Sequence, residues 1–134
     1  MNNDQRWRQR LQNLNKAYQR LQAACAQTAY NELELAGLIQ TYEFTFELSR
    51  KTLKDKLQYD GYTVNSPREA IKTAFAAHLI EDVDTWLACL ETRNLFTHTY
   101  EETIATQAAN LIKKQFAPLL GRCVRRLNQL AERE

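Results

Sequence analysis

Glycine and proline are scarce in this chain, which has three glycines and two prolines in 134 residues. Because these residues supply much of the turn structure that joins short strands, their scarcity argues against a many-stranded sheet and favours a few long helices. Leu, Ala, Gln, Glu, Lys and Arg, all good helix formers, dominate the composition. We therefore predict one domain, residues 1–134, folded as an all-α, antiparallel, four- to five-helix up-and-down bundle.

Apolar spacing and capping residues place the individual helices. The predicted spans are residues 5–26, 31–58, 67–77, 84–97 and a last helix from 101 or 102 onward. Ser66, Pro67 and Glu69 form a helix start signal with a capping box, and Asp60-Gly61 is a stop signal. Pro118 lies inside the last helix, where we expect it to kink or break the helix.

The second helix carries aromatic residues in two neighbouring phases. Tyr42 and Phe46 fall on its main apolar face, whereas Phe44 falls beside it. We interpret this set as core and interface rather than as a platform for stacking bases. More than one buried face on a helix favours burial by another subunit, so we predict a homodimer.

Charge is distributed unevenly along the chain, although the net charge is only +2. Residues 1–25 and residues 110–134 each carry a net charge of +4, and residues 26–109 carry −6. Two basic terminal helices could attract a polyanion. The alternative is that these charges are solvated helix faces or contacts with a protein partner.

Cysteine usage and hydropathy indicate an intracellular protein. The three cysteines, Cys25, Cys89 and Cys123, are widely spaced within helical patterns and form no metal-binding motif, so we expect buried free thiols. Free thiols fit a reducing cytoplasm. No apolar run approaches the roughly 20 residues that cross a bilayer, so no membrane association is expected.

The segment 93–100 holds the residues best suited to chemistry: Arg93-Asn94-Leu95-Phe96-Thr97-His98-Thr99-Tyr100. It combines a fixed cation, an imidazole that titrates near neutral pH and a phenol. RNA cleavage needs a base, an acid and a cation for the developing phosphorane charge, and His98 and Arg93 are the residue types for these tasks. No carboxylate cluster suggests a metal, so a metal-free route without a cofactor is expected.

Geometry limits how these side chains can meet. On an ideal helix Arg93 and His98 would point about 140° apart, whereas Asn94 and His98 share a face. The helix must therefore end or distort near Thr97, or a second subunit must complete the site. The alternatives are a structural histidine and an ordinary ion pair of Arg93 with Glu91 of a partner chain or with Asp84. Glu47 on the second helix is a minor candidate for holding Arg93.

The signature Arg, four residues, His, one residue, Tyr is complete from Arg93 to Tyr100. With the second helix around 41–54 and the start signal at Ser66, it resembles the HEPN superfamily of small helical proteins. The closer resemblance is to its HepT-like branch, the nucleotidyltransferase substrate-binding subunits, and it covers nearly the whole chain.

The resemblance implies a homodimer with a shared cleft, metal-independent ribonuclease activity and a toxin–antitoxin pairing with a small nucleotidyltransferase. It assigns phosphate binding to Arg93, acid–base catalysis to His98, a supporting role to Asn94 and AMPylation by the partner to Tyr100. The rival interpretation is a non-catalytic subunit that presents a nucleotide or substrate to the nucleotidyltransferase. A plain helical dimerisation module is the third.

Overall fold

The computed structural model describes residues 2–93 and 101–133, apart from the side chain of residue 102. Within these residues the chain is helical and has no strand. The elements are α1 (Asn3–Cys25), α2 (Glu32–Tyr59), α3 (Pro67–Ala76), α4 (Val83–Thr92), α5 (Glu102–Leu111), a π-helical segment (Ile112–Phe116) and α6 (Ala117–Arg133). The last three follow one another without a break, so the described residues form five helices and the predicted helical fold is confirmed.

The helix ends follow the capping signals with one exception. Gly61 adopts a left-handed backbone, φ +97°, directly after the cap of α2. At the start of α3 the Ser66 hydroxyl accepts the backbone N–H of Glu69 at 3.1 Å. The Glu69 carboxylate accepts the N–H of Asn65 rather than that of Ser66, so the predicted capping box is only half formed. The predicted stretch of the fourth helix from 94 to 97 lies outside the described residues.

Polar contacts between α1 and α6 show that these two helices are antiparallel. Toward α6, the Arg8 guanidinium donates to the carbonyl of Ala131, and the Asn15 and Asn128 side chains bond each other at 2.8 and 3.1 Å. Residue numbers therefore rise along α1 as they fall along α6. The short connection from 26 to 31 turns α2 back along α1 in the same way.

An aromatic part of the core lies where α2 meets α4 and the π-helical segment. Tyr42 and Phe116 stack with ring centroids 5.6 Å apart, and Phe46 lies 5.9 Å from Trp86. These four aromatic side chains are buried, whereas Phe44 is 58% exposed, so only part of the aromatic set on α2 belongs to the core of one chain. This packing fixes α4 against the middle of α2.

Pro118 does not end the last helix. The backbone widens into the π-helical segment just before it, and the N–H of Ala117 donates to the carbonyl of Ile112, five residues back. A proline cannot supply the usual N–H and crowds the preceding turn, and a widened turn is one way for a helix to continue through it. The predicted break is thus a π-helical bulge.

Among the described residues, no helix is both long and apolar enough to span a membrane. The homodimer remains a prediction.

Candidate functional site

Arg93 stands at the point where α4 ends. Asp82 caps the start of the helix, since its carboxylate accepts the N–H of Thr85 at 3.2 Å, and the helix runs from Val83 to Thr92. Arg93 keeps a helical backbone and caps this end, with its side chain 47% exposed. The packing of Trp86 against α2 therefore anchors α4, and the Arg93 guanidinium lies at the surface beside α2.

Glu47 is the carboxylate that meets this guanidinium. Its Oε1 lies 3.7 Å from Nη1 of Arg93, which is an ion pair but too long for a hydrogen bond. Its Oε2 accepts a hydrogen bond from Nη2 of Arg50 at 2.7 Å. Oε1 is buried and has no hydrogen-bond partner among the described residues. Glu47 thus joins two arginines, one on its own helix and one on α4.

The electrostatics of this cluster keep Glu47 ionised. Burial alone would raise the pKa of the Glu47 carboxyl. The hydrogen bond and charge of Arg50, together with the charges of Arg93 and Lys51, outweigh burial and hold that pKa below its ordinary value. One turn earlier on α2, burial raises the pKa of the Glu43 carboxyl. Glu43 and Glu47, four residues apart on α2, therefore have different environments.

The structure brings Arg93 and Glu47 together within one chain. Asn94, His98 and Tyr100 lie outside the described residues, so their placement and roles stay predictions. Within one chain, Glu91 pairs with Arg68 at 3.1 Å. A pairing of Arg93 with Glu91 of a partner chain stays a prediction.

Sequence reasoning missed Arg50. Its side chain is only 16% exposed and it holds the Glu47 carboxylate. The three-residue spacing of Glu47 and Arg50 on a helix was a usable signal, since such residues are neighbours on the helix surface. What the spacing could not reveal is that the same carboxylate also faces α4.

The cluster presents a half-exposed guanidinium whose position is restrained by an ionised carboxylate. A guanidinium offers a planar fork of N–H donors that matches phosphate oxygens. Within residues 2–93 and 101–133, no three His, Cys, Asp or Glu side chains come together in a way that could hold a metal ion. The chemistry that this end of α4 supports is the binding of an anionic, phosphate-like group.

The fold and this site together define a small all-helical protein with a half-exposed arginine, paired with a glutamate, at the end of its fourth helix. The sequence matches the family described as "Nucleotidyltransferase substrate binding protein like" over residues 9–129, and the chain belongs to that family. The resemblance to the HepT-like branch is confirmed by this match and by the relatives below.

The chain is similar in sequence to a named relative. The chain is 34% identical over 73 residues to "Probable ribonuclease HepT" of Haemophilus influenzae. That alignment covers 51% of this chain and spans about half, 50%, of the relative's own length.

Two solved structures share the fold over most of their length. A Haemophilus influenzae protein, described as having the fold of a substrate binding domain of a nucleotidyltransferase, has a TM-score of 0.80 at 26% identity. The match covers 89% of this chain and 99% of that one. A crystal structure of a Thermus thermophilus protein has a TM-score of 0.78 at 27% identity, covering 85% of this chain and 98% of that one.

Proposed function

We propose that the protein is a metal-independent endoribonuclease, the toxin of a toxin–antitoxin pair. The observation that carries the proposal is the pairing of Arg93 with Glu47, which restrains the first residue of the 93–100 signature while leaving its guanidinium half exposed. A relative named as a probable ribonuclease supports the same activity. The expected substrate is RNA and the expected assembly is a homodimer in which two copies of the signature face one shared cleft.

The proposed reaction uses the 2′-hydroxyl of RNA as the nucleophile. His98 of one protomer removes the proton of that hydroxyl, whose oxygen attacks the adjacent phosphorus. His98 of the other protomer gives a proton to the departing 5′ oxygen. Arg93 stabilises the negative charge that builds on the phosphoryl oxygens, and Asn94 supports the phosphate. The products are a cyclic phosphate and a free 5′-hydroxyl.

We further propose that a cognate small nucleotidyltransferase neutralises the protein by AMPylation. The Tyr100 oxygen attacks the α-phosphorus of ATP, the proton of the phenol is lost, and pyrophosphate leaves. The added phosphate brings negative charge and bulk beside Arg93, where it competes with RNA for the guanidinium. The family's description as nucleotidyltransferase substrate binding supports such a partner.

A second candidate is a non-catalytic subunit that presents a nucleotide or substrate to the nucleotidyltransferase. The specific observation in its favour is the likeness to the Haemophilus influenzae protein described as a substrate binding domain. In this function Arg93 binds the phosphate of a nucleotide without any bond being broken.

RNA cleavage in EDTA distinguishes the two functions. Purified parent protein is incubated with RNA and compared with His98→Ala and with His78→Asn as the matched histidine control. His78 has a left-handed backbone, φ +63°, which asparagine tolerates, and its carbonyl accepts a hydrogen bond from Arg126. We expect His98→Ala to lose roughly a hundredfold or more of the rate and His78→Asn to keep it. Absence of cleavage by the parent, with retained nucleotide binding, would favour the binding subunit.

Modification is tested separately with the cognate nucleotidyltransferase and ATP. Intact-mass measurement should show added AMP on the parent and none on Tyr100→Phe. Tyr62→Phe is the matched control, because Tyr62 is an exposed tyrosine outside the signature. Unchanged AMP addition to Tyr100→Phe would contradict the assignment of that tyrosine.

A further inference from the structure

A groove with an excess of positive charge runs between the C-terminal half of α1 and the start of α6. Its lining comes from two segments that are far apart in the sequence, residues 18–26 and 113–125. We call it the α1–α6 groove. Its volume is about 480 Å³, and its polar lining includes Tyr18, Gln22, Lys113, Arg122 and Arg125. Among the described residues, no carboxylate lines it. Such a groove suits a ligand that carries several negative charges.

The two basic termini, which look alike in the sequence, differ in the structure. On α1, Arg8 pairs with Asp4 and Arg10 pairs with Asp55. In the described part of the chain, by contrast, no carboxylate lies within ion-pair distance of Lys113, Arg122 or Arg125. Arg8 and Arg10 are therefore partly neutralised by close ion pairs, whereas Arg122 meets a carboxylate, that of Asp82, only beyond ion-pair distance.

Two neighbouring cavities each share a basic residue with the groove. Lys113 also borders a cavity of about 560 Å³ near Tyr30, whose lining includes Glu32. Arg122 also borders a small cavity of about 80 Å³, whose lining includes Arg126 and Glu81. From Lys113 to Arg126 the helix advances about 20 Å. This track is long and open rather than a closed pocket, so it fits an extended polyanion better than a single small ion.

Two aromatic rings, those of Tyr18 and Tyr30, lie beside the cations of this track. Tyr18 lies in the groove, and its ring occupies the space that a side chain at position 121 would need, which Gly121 leaves open. The ammonium of Lys113 lies 5.0 Å from the ring centroid of Tyr30 and donates to the carbonyl of Gln27 at 3.0 Å. Lys113 belongs to the π-helical segment, so the bulge before Pro118 sets its direction. Cations beside aromatic rings are typical of surfaces that bind single-stranded nucleic acid.

We propose that the α1–α6 groove binds the phosphate backbone of a single-stranded RNA, outside the site at Arg93. The choice of RNA rests on the proposed ribonuclease function, whereas the polyanion specificity rests on the groove itself. Lys113, Arg122 and Arg125 contact phosphates, and Tyr18 provides a surface for a base. The groove would hold part of a substrate strand that is too long for the catalytic site alone.

The experiment measures binding and avoids cleavage. A short fluorescent single-stranded oligonucleotide with 2′-O-methyl groups is titrated with the full chain at several KCl concentrations and followed by anisotropy. This probe lacks the 2′-hydroxyl nucleophile, so it stays intact. The test variant is Arg122→Gln with Arg125→Gln. The matched control is Lys54→Gln with Lys72→Gln, which removes the same charge from exposed positions on α2 and α3.

We expect the groove variant to bind roughly twentyfold more weakly at about 0.1 M salt, because two phosphate contacts change the salt slope for a single strand by about 1.4. The control should stay within about twofold of the parent. Equal binding by parent and groove variant would overturn the proposal, as would absence of RNA binding by the parent. A groove variant that binds RNA normally but no longer binds the nucleotidyltransferase would also overturn it, since the occupant would then be a protein.

Failure of this proposal differs from failure of the proposed function. If the parent cleaves RNA in EDTA and the groove variant binds the oligonucleotide as tightly as the parent, only the groove proposal is rejected. Groove-dependent binding without any cleavage would reject only the ribonuclease.

Discussion

Glu47 of α2 and Arg93 of α4 form an ion pair across the helix interface, with 3.7 Å between Oε1 and Nη1. The same carboxylate is hydrogen-bonded to Arg50 at 2.7 Å, so it separates two guanidinium groups that would otherwise repel each other. Its exposure, 36%, places the cluster at the surface rather than in the core. Such an arrangement restrains the direction of Arg93 more than it stabilises the fold, since exposed ion pairs contribute little to stability.

The first prediction is that Glu47→Gln lowers RNA cleavage roughly tenfold to a hundredfold, mostly in kcat. Without the carboxylate, Arg50 and Arg93 are no longer held together and the Arg93 guanidinium shifts from its position, and small misplacements of a positioned group are costly in rate. Steady-state kinetics with a defined RNA separates kcat from KM.

The matched control for this prediction is Glu43→Gln, because Glu43 lies one turn away on the same helix and holds no arginine among the described residues. Glu43→Gln should keep the parental rate, and Glu47→Asp should recover part of it. An equal loss in both glutamine variants, or a change confined to KM, would show that Glu47 does not position Arg93.

Local signals predicted most of the fold because helix periodicity and caps act over a few residues. Ser49 is an exception to the apolar pattern of α2, and a contact within the helix explains its burial. It lies in the apolar stripe of α2 and is fully buried, and its hydroxyl donates to the carbonyl of Thr45 at 2.9 Å. Thr45 and Thr52 make the same bond one turn back, so these polar residues satisfy themselves within the helix and can be buried.

Long-range features could not be predicted with the same precision. Glu43 and Glu47 lie one turn apart on α2, and nothing local in the sequence distinguishes them. The side chain that makes the difference, Arg93, is far away in the sequence and depends on how α4 packs against α2. The uneven neutralisation of the two basic termini has the same origin, because Asp55, the partner of Arg10, comes from another helix.

The second prediction contrasts two helical glycines. A Cβ at position 121 would lie 2.2 Å from the Tyr18 hydroxyl and 2.9 Å from its ring, whereas a Cβ at position 37 would meet nothing within 4 Å. We expect Gly121→Ala to destabilise the protein by about 1–3 kcal/mol through overpacking. Gly37→Ala should stabilise it by about 0.5–1 kcal/mol, since alanine is the better helix former.

Urea denaturation of both variants measures these changes. Adding Tyr18→Phe to Gly121→Ala removes the nearest atom and should recover part of the lost stability. If Gly121→Ala were as stable as the parent, the close packing of Tyr18 on α6 would be wrong.

The third prediction concerns thiol accessibility. Cys25 is half-buried beside the α1–α6 groove, whereas Cys89 and Cys123 are buried. We expect an alkylating reagent near neutral pH to add one label to the native protein and three after denaturation, as read by intact mass. Cys25→Ser should leave the native protein unlabelled. Rapid labelling of a second cysteine in the native state would contradict the burial of Cys89 and Cys123.

The fourth prediction is a loss of stability at alkaline pH that depends on Cys123. Burial raises the pKa of this thiol from 9.0 to about 12. The folded state therefore disfavours the thiolate, and the unfolded state ionises first as the pH rises. Stability from this group is complete below pH 9 and is lost progressively as the pH rises toward 12.

Cys123→Ala isolates this contribution. The variant loses some stability at every pH because a buried atom is removed, but its free energy of unfolding should fall less steeply above pH 9. The difference in slope approaches about 1.4 kcal/mol per pH unit. Urea denaturation of parent and variant between pH 8.5 and 11, with the range chosen around the two pKa values, measures that difference. Parallel curves for the two proteins would show that the thiol ionises equally easily in the folded and unfolded states, and that Cys123 is not buried as described.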